Sequence, residues 1–137
     1  MIFYDDQYTR LLVENVIAES PTLQSEAASD DVYVWVKIGE TAELNPGLTQ
    51  TSDYGRIARV TLDPPDISDM LTDPTIGPAL RANGGLTLED VIGHEFNAHV
   101  FNYTPGIESF CPGCAPSPAA ERENVIRRER GRPNRTF

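Results

Sequence analysis

Apolar side chains at Leu11, Leu12, Val16 and Ile17 recur at helical spacing, and Asp5 and Asp6 ahead of them suit a first turn. Ser20-Pro21 predicts the stop of this helix, because proline disfavours helix at the residue before it. Residues 24–30 are polar and read as linker. Residues 31–39 alternate, with Val32, Val34, Val36 and Ile38 on one face and Tyr33, Trp35 and Lys37 on the other. This is the clearest strand signal in the chain. Large groups on both faces predict that both are at least half covered, with Trp35 packed in the sheet. Residues 40–54, rich in Thr, Asn, Pro, Gly and Asp, read as a loop. A second strand follows at residues 56–62, with Ile57, Ala58, Val60 and Leu62, and Asp63-Pro64-Pro65 ends it. Residues 66–85 are broken by Pro74, Gly77, Pro78 and Gly84-Gly85, which predicts short helical turns.

A helix is expected over residues 87–102. Thr87 is a good N-cap, and Asp90 three residues on completes a capping-box pattern. Leu88, Val91, Ile92, Phe96, Val100 and Phe101 form its apolar stripe, and Thr104-Pro105-Gly106 stops it. Residues 107–117 form a loop. Ser117-Pro118 then opens a last helix, which Gly131 and Pro133 end. Strands flanked by helices indicate one α+β domain spanning residues 1–137.

The net charge of −10 is unevenly spread. Residues 121–137 hold six arginines against three glutamates, near +3, which leaves near −13 on residues 1–120. Such an acidic body argues against nucleic acid as the main partner. No apolar run reaches the roughly 20 residues of a membrane span. Residues 1–10 are polar and acidic, so no signal peptide is expected there. That fits a cytoplasmic protein or a domain carried by a longer, exported chain. Cys111-Pro112-Gly113-Cys114 is compatible with a local disulfide, free thiols or half of a metal site.

Both histidines of the chain lie on the helix over residues 87–102, in Val91-Ile92-Gly93-His94-Glu95-Phe96-Asn97-Ala98-His99. Zinc hydrolases use helices of this kind: two imidazoles hold the metal, and the glutamate beside the first takes a proton from water. The usual spacing is His-Glu-x-x-His, whereas here it is His-Glu-x-x-x-His. On a regular α-helix, positions i and i+5 differ by about 140° and cannot converge on one ion. A single π turn inserts one residue and restores a common face. Asn97 and Ala98 are small enough to occupy it. Without that turn a two-histidine site fails.

Three stretches resemble the zincin-type metallopeptidase domains of secreted bacterial effectors and of the C-termini of Rhs or YD-repeat polymorphic toxins. These are Leu11-Leu12 through Ser20-Pro21-Thr22 to Val32-Tyr33-Val34, the Gly93-His94-Glu95 helix with His99, and Glu123-Asn124-Val125-Ile126-Arg127 running on to Gly131-Arg132-Pro133-Asn134-Arg135. The resemblance implies a minimal zincin fold: a small twisted sheet, an active-site helix and flanking helices. It implies a zinc ion (Zn2+) held by His94, His99 and a third ligand, with Glu95 as general base in the hydrolysis of a protein or peptide. Glu123 is the expected third ligand, with Glu108 and the cysteines as alternatives. Arg127 and Arg135 match family positions and are expected to orient substrate or support structure. Tyr103 and Arg127 are further candidates for touching a tetrahedral intermediate. An extended peptide would add to an edge strand, either residues 32–38 or 57–62. A toxin role would imply a cognate immunity protein. The rival readings are a zincin-like binding domain that has lost its metal, an acidic immunity or inhibitor protein, and, last, a metal nuclease.

Overall fold

The computed structural model describes residues 1–42, 44–104, 111 and 113–136. Three strands run parallel and a fourth antiparallel in one sheet, ordered β1-β2-β4-β3: β1 is Ile2–Tyr4, β2 Tyr33–Ile38, β3 Gly47–Ser52 and β4 Ile57–Leu62. Six α-helices accompany it: α1 (Gln7–Ala18), α2 (Pro21–Ser29), α3 (Pro64–Thr72), α4 (Ile76–Ala82), α5 (Leu88–His94) and α6 (Pro118–Glu129). A π-helical segment, Glu95–Val100, continues α5 directly. The chain is therefore α+β, as the order of strand and helix patterns predicts.

One face of the sheet carries the core. Val34 and Val36 of β2 and Ala58, Val60 and Leu62 of β4 are buried against Val13 and Val16 of α1, Leu23 of α2, Ile92 of α5, Phe96 of the π segment and Ile126 of α6. Burying some ten branched or aromatic side chains at roughly 1.5–3 kcal/mol each is the main stabilising term. The other face is open: Tyr33 and Trp35 remain about half exposed, at 55% and 51%. The expectation that both faces are at least half covered thus falls just short at Tyr33 and Trp35, while Trp35 does pack in the sheet, stacked on Phe3 of β1.

Three further elements depart from the sequence expectations. Residues 24–30 are helix rather than linker, because Ser20 caps α2 by accepting from the Leu23 N–H and Pro21 fills its first turn. Ser-Pro starts this helix, as it does α6 at Ser117-Pro118. β1 is a short edge strand that an acidic N-terminal pattern does not advertise. β3 lies within residues 40–54, whose polar composition reads as loop; Leu48, Gln50 and Ser52 point outward while Gly47, Thr49 and Thr51 line the inner side. An edge strand needs little apolar content, since it is covered on one side at most. Consequently β2 and β4, the strands expected to sit at an edge, are interior, and the edges are β1 and β3.

Candidate metal centre

The capping box fixes the start of the helix that bears the histidines. The Thr87 hydroxyl accepts from the Asp90 N–H at 3.1 Å, and the Asp90 carboxylate accepts from the Thr87 N–H at 3.0 Å. Seven residues later the ladder changes. The Phe101 N–H bonds the Phe96 carbonyl five residues back, and the π segment begins at Glu95. Side-chain amides hold the widened turn. Asn102 Nδ2 lies 2.6 Å from the Asn97 carbonyl and 2.7 Å from Glu26 Oε2, and buried Asn97 donates to the Arg122 carbonyl at 2.7 Å. Burial raises the pKa of Glu26 above the usual carboxylate range, against the opposing pull of the Asn102 hydrogen bond and of Arg122.

The π turn brings the two rings together: His94 Nε2 and His99 Nε2 are 3.2 Å apart. The outer nitrogen of each ring faces an acceptor. His94 Nδ1 is 2.9 Å from Glu123 Oε1, and His99 Nδ1 is 2.7 Å from the Thr104 carbonyl. These partners assign the proton of each neutral ring to Nδ1, so both Nε2 lone pairs point at the same spot. Two lone pairs at 3.2 Å repel unless a cation lies between them. Nitrogens bound tetrahedrally at zinc distances are about 3.3 Å apart, so this donor pair fits such an ion. The buried Glu95 carboxylate joins the group: it and the two imidazoles offer ligand atoms all within 4.8 Å of one another. The Thr49 hydroxyl of β3 donates to Glu95 Oε2 at 3.1 Å. Gly47 lets that strand come close, because a Cβ there would stand 2.7 Å from Val91 and 3.0 Å from Glu95.

Glu123 is not placed as a ligand. Its carboxylate sits behind His94, on the Nδ1 side, and Arg127 Nε and Arg135 Nη1 hold it at 2.5 and 2.7 Å. The face of His94 that meets His99 is the opposite one. Burial would raise the Glu123 pKa, but Arg135, His94 and Arg127 outweigh it and hold the group down at about 2. A charged carboxylate on the outer nitrogen orients an imidazole ligand and raises its basicity. Gly93 allows the approach of α6 that makes this contact, since a Cβ there would fall 2.8 Å from Ile126.

Of the two roles expected for Arg127, the contacts fit structural support. Arg127 is 1% exposed and donates to Glu123 and to the carbonyls of Asn83, Pro133 and Gly85, so it is a buried fastener rather than a substrate contact. Asp90 joins it, held by Arg127 and by Arg132 at 3.4 and 2.7 Å. Tyr103 gives its hydroxyl to the Gly55 carbonyl at 3.0 Å and braces the β3–β4 turn. Cys111 and Cys114 are joined as a disulfide, the first of the options open in the sequence. Glu108 and the Pro105-Gly106 stop lie outside the described residues. Thr49, Gly47 and the Thr104 carbonyl have no signature in the sequence; the first two belong to a strand that reads as loop. No helix among the described residues is long and apolar enough to cross a membrane. Compared with known proteins, the chain matches no family model, no curated protein and no solved structure.

Proposed function

We propose that the chain is a zinc-dependent peptide hydrolase of minimal zincin-like architecture, acting on a protein substrate in the manner of bacterial effector and toxin domains. The observation that carries this reading is the π turn, which sets His94 Nε2 3.2 Å from His99 Nε2 with Glu95 beside them. His94 and His99 would hold the ion through Nε2. A zinc ion supplies Lewis acidity, which activates water and polarises a carbonyl near neutral pH.

The residues of the chain perform the remaining tasks. Glu95, buried and steadied by Thr49, is positioned to take a proton from water and return it to the departing amine. Glu123 and the Thr104 carbonyl, each at an Nδ1, orient the two rings so that both Nε2 atoms are aimed inward. The motif resemblance supports the peptidase class, because the His-Glu pair and the closing Glu123-Asn124…Arg135 stretch occur in the family's order.

A second reading rests on the same cluster. Glu95 can itself reach the ion, which would make a closed, non-catalytic centre of His94, Glu95 and His99. One variant separates the two. Under the hydrolase reading, Glu95→Gln retains stoichiometric zinc but loses about a hundredfold or more in casein cleavage. His94→Ala loses the zinc itself. If Glu95→Gln sheds zinc as readily as His94→Ala, the closed centre is correct. If the wild type, loaded with zinc, cleaves none of a mixture of unfolded proteins, the hydrolase reading fails.

A further inference from the structure

The helices and both histidines lie against the inner face of the sheet; the outer face has its own chemistry. Cross-strand register places Phe3, Trp35, Arg59 and Gln50 in one row, and Tyr33, Ile57 and Ser52 in the next. Phe3 stacks on Trp35 and on Tyr33, with ring centroids 5.5 and 6.5 Å apart. Trp35 is held in place, since its indole N–H donates to Asp5 Oδ1 at 2.7 Å. With it, Lys37 and Arg59 line a depression of about 300 Å³ among the described residues. Both cations are exposed, and neither enters an ion pair among the described residues.

We propose that this open face is an interaction surface for a partner protein that presents an acidic segment with apolar side chains. The apolar groups would cover Phe3, Tyr33, Trp35 and Ile57, and the carboxylates would meet Lys37 and Arg59. Trp, Tyr and Arg around a pocket are the residue types that carry most of the energy in protein interfaces. Charge selects the partner. The arginines of the C-terminal segment are largely occupied by Asp90, Glu123 and Glu19, whereas Lys37 and Arg59 are held by no acid among the described residues. Two cations on a body near −13 suffice for one or two carboxylates but not for a track of phosphates. A second copy is disfavoured because a twofold interface would set Lys37 and Arg59 of each chain against the same cations of the other.

Trp35 is the chain's single tryptophan, so its emission reports on this face alone. The probes are a tryptophan-free peptide alternating Glu with Leu and Phe, the same peptide with Gln for Glu, and an oligothymidylate. The acidic peptide should shift the Trp35 emission to the blue with saturation. Its dissociation constant should rise about tenfold in the Lys37→Glu/Arg59→Glu variant and in about 0.5 M salt. Circular dichroism checks that the variant, altered only at exposed positions, is folded. The proposal is overturned if the acidic peptide produces no shift at about 1 mM. It is equally overturned if the Gln peptide binds as well, if only the oligothymidylate binds, or if the shift appears with protein concentration alone and a dimer sediments.

Discussion

At the residue scale the decisive group is Glu123. It accepts from His94 on one oxygen and is clamped by Arg127 and Arg135, all within a region almost closed to solvent. Removing one partner of a buried ion pair costs about 3–5 kcal/mol, because the cations left behind are unpaired. Glu123→Gln is therefore expected to lower unfolding free energy by about 3 kcal/mol in urea titrations. It should also weaken zinc about 10–100-fold in a competition titration, because His94 loses the charge that orients it. The pH dependence has a definite sign. A carboxyl held near 2 in the folded protein against 4.5 in the unfolded chain contributes stability that is present above about 4.5 and drains away as pH falls toward 2. The Gln variant should show a shallower acid limb over that window. If its urea midpoint and zinc affinity equal those of the wild type, the clamp does not support the histidine.

At the scale of elements, the π turn converts a spacing that fails on an α-helix into one that works. Deleting Ala98 would leave His-Glu-x-x-His on a regular helix, with the rings again on one face. That deletion should keep zinc affinity within about tenfold, while insertion of an alanine after Ala98 should abolish it by swinging His99 about 100° away. Equal loss in both variants would show that the turn does more than set phase. The junction of α5 and α6 is equally narrow. Gly93→Ala would drive a methyl group into the β-branched Ile126, which is fully buried, at a cost of about 1–3 kcal/mol in thermal or urea unfolding. What could be read from the sequence follows from how far each element relies on its own residues. β2, β4, α1, α6 and the capped histidine helix declare themselves by period and cap, and the need for a π turn follows from the His94–His99 spacing alone. α2 was obscured because Ser20-Pro21 serves equally as stop and as start. β3 was obscured because its residues are polar and its strand character comes from pairing with β4. Glu123 is legible as a neighbour of the histidines, but spacing cannot say which side of an imidazole its carboxylate meets, and it meets the Nδ1 side of His94.

At the scale of the whole molecule, Asp63, Asp66 and Glu95 are buried on backbone and hydroxyl donors, and two further acids on arginine. The buried acids Asp90 and Glu123 have arginine partners, while much of the remaining −10 lies on exposed carboxylates that repel one another. Raising ionic strength from about 0.01 to 0.15 M shortens the screening length from roughly 30 to 8 Å, which spares the buried pairs and relieves the surface. The melting temperature should therefore rise with added salt in this range; a fall would mean that exposed ion pairs dominate. The segment after α6 closes this arrangement. Arg132 returns to Asp90 at the start of the histidine helix, Arg135 reaches Glu123 behind His94, and the Thr136 N–H meets Asn83 Oδ1 at 2.5 Å. Order of synthesis then matters. While residues 123–135 are still inside the ribosome, the first imidazole has no carboxylate at its back and the helix that bears it lacks its arginine anchors. A nascent chain thus presents His94 and His99 without the support behind them until translation has passed Arg135.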